Sequence, residues 1–468
     1  MTNPFERLGQ LSQLGKRFRV HLTTEQDAAG IAAFRVMLGL VACVSALRFL
    51  AYGWVDQLFV NPQFFFTYWF APFVEPLGKA GMHAVFWVMA AAGLLVAAGL
   101  FYRAAVATLF TTITYVQLID VTNYLNHYYL VSLLTLLLLF MPLGRAYGLD
   151  GWITKRRGSG ALRTTVPGVC YVLLAFQVGT VYTFAGVAKV TEDWLIHAQP
   201  LSIWLSSRSS MPVLGPLLAK PWAPHLMSWA GCLFDLTIAW WLLYRRTRVV
   251  AFLVVIAFHA VTRALFPIGM FPFIMVVGAT TFFSPSWPRR LLRLDAAPPK
   301  ASPVKPLRWS AAASVVIGAY MLVQALVPLR AFLYGDDVHW HEQGMRFSWR
   351  VMVREKNASV TYLIDDLESG RTTEVSPRAY LDARQLREFG TQPDLVLQLG
   401  HHIAAEREAR TGHKVRIRVD AIASLNGRRT TRLVDPTVDL LQVRDGIAKA
   451  EWILPAPKAS PPFVHASR

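Results

Sequence analysis

The chain has 468 residues, of which 54% are hydrophobic and 16% charged, with a formal net charge of +18. So little charge against so much apolar content excludes an ordinary soluble domain and points to a membrane protein. The basic residues fall in short clusters between apolar runs, as the positive-inside rule requires, which argues against a nucleic-acid partner.

Residues 1–27 are polar and basic and are expected on the cytoplasmic side. They hold no short apolar core with a small-residue cleavage site, so the first apolar helix is expected to be retained. A spanning helix needs roughly 20 mostly apolar residues. Nine stretches qualify or nearly do: Ile31 to Leu50, His83 to Leu100, Ala104 to Asp120, Leu125 to Met141, Val166 to Val187, Leu226 to Leu243, Val249 to Leu265, Gly269 to Phe283, and Ser310 to Val327. Basic clusters precede the first (Lys16, Arg17, Arg19) and follow the fourth (Lys155, Arg156, Arg157), the sixth (Arg245, Arg246, Arg248) and the eighth (Arg289, Arg290, Arg293). With nine spans all these clusters share one side, which sets the N-terminus inside and everything after Val327 outside.

The expected organisation is therefore a polytopic α-helical membrane protein of about nine spans with a C-terminal α+β soluble domain on the outer face. Residues 28–290 form the helical membrane domain. Residues 291–330 carry a proline-rich linker (Ala296 to Leu307) and the last span. Residues 331–455 form the soluble domain, in which SVTYLID, VRIRVDAIA and RLVDPTVDLL read as strands while ARQLREFG and PDLVLQLGHHIAAEREART read as helices. Residues 456–468 read as a disordered tail. The three cysteines, Cys43, Cys170 and Cys232, lie inside apolar runs without metal-ligand spacing. With His341, His401 and His402 isolated in the sequence, no metal site is expected.

In this topology the polar residues of the spans can be placed by depth. Asp120, Asn123, Asn126, His127, Lys189, His259 and Arg263 all fall near the outer leaflet, on four different helices. Polar groups in lipid are costly and tend to face a bundle interior or a cavity, so this coincidence marks a candidate site. Simpler roles stay open for each. Lys189 reads as a snorkelling anchor or an ion-pair partner of Asp193, four residues on. Asn126 and His127 read as interhelical packing groups, and Asp235 as the partner of a buried arginine such as Arg35.

The segments AGVAKVTEDW, NHYYL, FPIGMFPFIM and FFSPSWPRRL, with FRVMLGL and GLFYR before them and RFSWRVMVR and RLVDPTVDLLQV after, carry a resemblance from about Ala28 to Gly446. The chain resembles the vitamin K-dependent γ-glutamyl carboxylases and their bacterial HTTM-domain relatives. That resemblance makes 28–290 an HTTM-type domain and implies an enzyme that oxygenates a reduced naphthoquinone to its epoxide. The strong base formed on the way removes a γ-proton from a peptide glutamate, and CO2 adds to the carbanion. The implied cofactor is reduced vitamin K (phylloquinol or menaquinol), with O2 and CO2 as co-substrates and no metal, biotin or ATP. The implied partners are a glutamate-containing peptide or protein, the membrane quinone pool and a quinone epoxide reductase.

By the same resemblance Lys189 is the starting base and His127, beside Asn126, holds the deprotonated quinol. His259, Arg263 and Gly186 complete the expected cofactor-binding set, Gly186 by letting a flat ring approach the backbone. Trp349 and Met352 are candidate substrate contacts, with the protein core as the equal alternative for Trp349. The family's carboxylases carry two adjacent lysines, and Ala188 stands here at the first. The competing readings are quinol epoxidation without carboxylation and a non-enzymatic quinone- or lipid-binding membrane protein. The expected location is a bacterial inner membrane with the C-terminal domain in the periplasm.

Overall fold

The computed structural model describes residues 20, 22–160, 163–293 and 311–464. The first basic cluster and the proline-rich linker lie outside the described residues. Each of the nine apolar stretches contains a helix: α1 (Ala29–Ala51), α2 (Gly78–Ala98), α3 (Tyr102–Ile119), α4 (Asn126–Phe140), α5 (Val169–Val187), α6 (Trp222–Leu243), α7 (Arg248–Leu265), α8 (Phe271–Ala279) and α9 (Ala311–Leu329). Six helices among the described residues are long and apolar enough to cross a bilayer: α1, α2, α5, α6, α7 and the one that begins at Ala311. Asn126–Phe140 and Phe271–Phe282 are apolar but shorter. The chain is thus an integral membrane protein by its helices, with their outward faces apolar, as lipid contact demands.

Two close crossings hold the bundle together. Gly39 of α1 meets Gly93 of α2, and a Cβ on Gly39 would lie 2.5 Å from the Gly93 carbonyl oxygen. Without a hydrophobic drive between helices in lipid, such small-residue contacts supply the packing. At the second crossing, Gly186 near the end of α5 leaves room for the backbone of α6, where an added Cβ would stand 2.7 Å from the Leu236 nitrogen. Arg35 of α1 is fully buried and donates to the carbonyls of Leu143, Ala146 and Tyr147. Its partners are carbonyls, so the expected pairing with Asp235 is not made.

Two short antiparallel strands, β1 (Glu25–Asp27) and β2 (Thr165–Pro167), pair in the membrane domain, and the soluble domain is built on an antiparallel sheet in the order β4 (Thr372–Val375), β3 (Lys356–Asp366), β5 (Val415–Leu425), β6 (Thr431–Arg432). Alternate residues Val360, Tyr362, Ile364 of β3 and Ile417, Val419, Ala421 of β5 are buried, the period-2 signature of a half-covered sheet. Helix α11 (Pro393–Thr411) covers that face through Leu395, Val396, Leu399 and Ile403, and α10 (Ala383–Phe389) precedes it behind an Asp382 capping box. The third expected strand is a correction. Beyond Arg432 the RLVDPTVDLL segment makes only a single bridge, Val434 to Ile453, because Asp435 and Asp439 turn their carboxylates onto the following backbone amides.

The two parts interlock. Phe66, Tyr68 and Val121, from loops of the membrane domain, are buried in the soluble domain's core. Gln385 of α10 donates to the Phe64 carbonyl and to the Asp120 carboxylate. Of the expected tail, residues 465–468 lie outside the described residues. Residues 456–464 run back over the membrane domain, where Gln199 donates to the Pro462 carbonyl and Phe463 stacks on His225.

Candidate active site

Helix α5 and the turn that ends it present Tyr182, Ala185 and Lys189 at i, i+3 and i+7, one face of a helical turn pattern. The Gly186 crossing brings α6 so close that Asp235 reaches this face. Lys189 Nζ lies 2.7 Å from Asp235 Oδ2 and donates at 3.1 Å to the Ala185 carbonyl. Both residues are only 6% exposed. The Trp194 ring lies 5.4 Å from the same Nζ, fixed by its indole N–H donating to the Ser228 carbonyl. Lys189 is therefore a buried, paired amine and does not snorkel.

Beside this pair lies a cavity of about 90 Å³ whose walls come from α5, α6, α7, α8 and residues Val351 and Met352 of the soluble part. Its polar groups are few: Lys189, Asp235, Tyr182, His259 and Thr262. His259 is framed edge-to-face by Phe234, Phe258 and Phe271. Its Nε2 sits 3.4 Å from the Tyr182 hydroxyl, and its buried Nδ1 has no hydrogen-bond partner. An apolar slot with one orphaned polar atom and one ion pair suits a flat, mostly apolar ligand carrying hydroxyl groups.

His127, at the start of α4, lines a second cavity of about 480 Å³ together with Asn126, Tyr128 and Arg48. The two cavities share Ile268, Phe271, Val351 and Met352 as common walls. Lys189 and His127 therefore face adjacent compartments separated by these side chains. The His127 and His259 rings both lie against Phe271, at 5.9 and 5.6 Å between centroids.

The RFSWRVMVR segment forms the dividing wall. Phe347, Trp349 and Met352 all have φ near +50 to +61°, a left-handed conformation costly for such side chains and held only where contacts over-determine it. The contacts are present. Tyr124 hydroxyl accepts from the Phe347 amide, Asn126 donates to the Arg350 carbonyl, and Trp349 stacks on Tyr129 at 4.9 Å.

Three expectations change with this geometry. Gly186 serves the α5–α6 crossing and lines neither cavity, since the space where its side chain would be is filled by Leu236. Arg263 is exposed over the Phe273 ring and lines neither cavity. Asp193 pairs with Arg428 of the β5–β6 turn through two 2.6 Å bonds, joined by Asn426, and leaves Lys189 to Asp235. Trp349 is fully buried in the membrane-domain core, while Met352 lines both cavities. Sequence reasoning missed the Lys189–Asp235 pair and Tyr182. One acid and one lysine, each alone in a neighbouring apolar span, was the available signal.

Residues 24–287 match the family model of the HTTM domain, more than half of the chain, and residues 309–459 match that of the vitamin K-dependent gamma-carboxylase lumenal domain. The chain belongs to the HTTM family and is a gamma-carboxylase relative. No solved structure matches it significantly. The paired domains point to a carboxylase-type membrane enzyme, and the match of the soluble part to a lumenal domain points to the non-cytoplasmic side. Lys189, Asp235, His259 and His127 fall inside the HTTM match, and the Val351–Met352 wall falls inside the lumenal-domain match.

Proposed function

We propose that this gamma-carboxylase relative is a vitamin K-dependent γ-glutamyl carboxylase of a bacterial inner membrane, with nine spans, the N-terminus inside and residues 331–455 in the periplasm. The observation that carries the reading is the buried Lys189–Asp235 pair opening on an apolar cavity that the soluble part closes. Reduced naphthoquinone (phylloquinol or menaquinol), oxidised by O2 to its epoxide with release of water, supplies the strong base that exchanges a glutamate γ-proton for CO2.

The chain's own residues supply proton control and exclusion of water. A base must be neutral to accept a proton. Along their 2.7 Å bond Asp235 Oδ2 takes the ammonium proton and leaves the Lys189 amine free. The pair's total charge does not change, so the shift brings no new charge into the low-dielectric interior. His259 Nδ1 and the Tyr182 hydroxyl hold a ligand hydroxyl in the same cavity, and Asn126 and His127 act from the adjoining one. Val351 and Met352 separate the compartments and keep bulk water from the base. The glutamate-bearing peptide approaches on the soluble side of this wall, and a quinone epoxide reductase regenerates the quinol.

The test uses purified protein with reduced vitamin K or menaquinol, O2, labelled bicarbonate and a glutamate-containing peptide, with Lys189→Ala as control. Epoxide and fixed label that both vanish in the variant support the reading. Epoxide without fixed label in the native protein reduces it to a quinol oxygenase. Neither product with either quinol leaves a quinone- or lipid-binding protein.

A further inference from the structure

A long groove of the membrane domain lies on the other side of α5 from Lys189 and takes no part in the proposed chemistry. It encloses about 900 Å³ between α5, α6, α9 and the turn after α8. From α5 it takes Val172, Ala175, Phe176, Gly179, Thr183 and Phe184, a different face from the one that carries Tyr182, Ala185 and Lys189. From Gly168 to Phe184 it follows some sixteen residues of chain, roughly 24 Å at helical rise. Its walls along this length are mainly apolar and aromatic, with the hydroxyls of Thr180, Thr183 and Thr281 among them.

One end is different. Arg245 and Arg248, at the α6–α7 turn, and Arg290, after α8, all line the groove, and no acidic residue does. Among the described residues the Arg245 and Arg290 side chains make no hydrogen bond or ion pair. Arg248 spends two of its donors on the carbonyls of Leu242 and Leu243. Three guanidinium groups around one opening, with no carboxylate among the described residues that line it, call for an anion from outside. The N-terminus of α5 lies at the same end, at Gly168, and adds the positive pole of a nineteen-residue helix.

We propose that this groove binds an anionic phospholipid, with its phosphate among Arg245, Arg248 and Arg290 and an acyl chain along α5. The charge at one end and the long apolar walls match the two halves of that molecule, and a neutral tail alone would leave the arginines uncompensated. The site sits at the end of α5 opposite Lys189, away from the soluble domain. It holds independently of the carboxylase reading, since occupancy is read without turnover.

The experiment reconstitutes the full chain in phosphatidylcholine nanodiscs containing dioleoyl phosphatidylglycerol and counts retained lipids by native mass spectrometry. The native protein is expected to retain phosphatidylglycerol over phosphatidylcholine. Arg245→Gln/Arg290→Gln is expected to lose this preference by about fivefold per arginine removed. Arg156→Gln/Arg157→Gln, which changes basic residues outside the groove, is expected to keep it. Equal retention of the two lipids by the native protein, or an equal loss in both double variants, overturns the proposal. A folding failure of the first variant is bypassed by competition on the native protein. There dioctanoyl phosphatidylglycerol is expected to displace the retained lipid and glycerophosphoglycerol, which lacks tails, is not. Displacement by the tail-free compound overturns the role of the groove.

Discussion

Lys189 and Asp235 form an ion pair inside the membrane domain, 46 residues apart in sequence and 2.7 Å apart in space, each almost wholly buried. Removing one member strands the other as an unpaired charge, at a cost of about 3–5 kcal/mol, whereas replacing both by apolar groups of similar size can be neutral. Asp235→Leu is therefore expected to lower the thermal unfolding midpoint in detergent sharply, and Lys189→Met/Asp235→Leu to restore it. Turnover should be lost in both. A double variant as unstable as the single would show that the pair is not the stabilising unit.

Trp349 separates packing from substrate contact. It is fully buried and stacked on Tyr129, so Trp349→Ala removes a core aromatic and should cost about 3–5 kcal/mol. Met352 instead faces both cavities. Met352→Ala is expected to leave the unfolding midpoint within a few degrees while changing peptide or quinol KM. A Trp349→Ala protein of native stability with a raised peptide KM would return Trp349 to the substrate contacts.

The turn that follows Lys189 is held from the soluble domain. Arg428 places two nitrogens on the Asp193 carboxylate and its Nε on the Ala459 carbonyl. Hydrogen bonds to charged groups contribute about 1.5–3 kcal/mol, so Arg428→Ala should loosen this turn well before it unfolds the chain. Hydrogen exchange is the measurement, with faster exchange expected across residues 190–197 and unchanged exchange in α1 and α2. Unchanged exchange at the turn would show that the clamp is dispensable.

Much of this was legible because it is written in local pattern. Apolar runs located the helices, alternation located β3 and β5, and Lys189 stood out as a charge at a helix end. The rest depends on which helices cross. Gly186 looked like a place for a ligand ring because a missing side chain says only that something comes close. The crossing shows that it is the α6 backbone at Leu236. Asp193, four residues from Lys189, looked like its partner, yet it lies in a new short helix, Glu192–Leu195, facing the β5–β6 turn. Arg263 shares a helix with His259, and its place in the last turn of that helix leaves it exposed. The tail's proline-rich composition gave no sign that Pro462 and Phe463 have partners on the membrane domain.

Acid sensitivity should enter through Asp337. Burial pushes this carboxyl up, but hydrogen bonds and charge from His339 outweigh that and leave it lowered to about 2. Its oxygen accepts the His339 amide at 2.9 Å and so caps the short helix Val338–His341, and it stands 3.2 Å from His339 Nδ1. His339 Nε2 in turn lies 3.4 Å from Arg350, inside the loop that divides the two cavities. A folded value below the ordinary 3.8 means that the unfolded chain binds more protons in this window, so stability rises with pH across it. The contribution is complete above the ordinary carboxylate value and is lost as pH falls through about 2. Asp337→Asn removes it at every pH. The stability gap between native protein and variant, read from unfolding midpoints in detergent, should narrow as pH falls from about 5 towards the acid limit. A gap that stays constant down to that limit would mean that the cap acts through shape alone, with no help from the carboxylate charge.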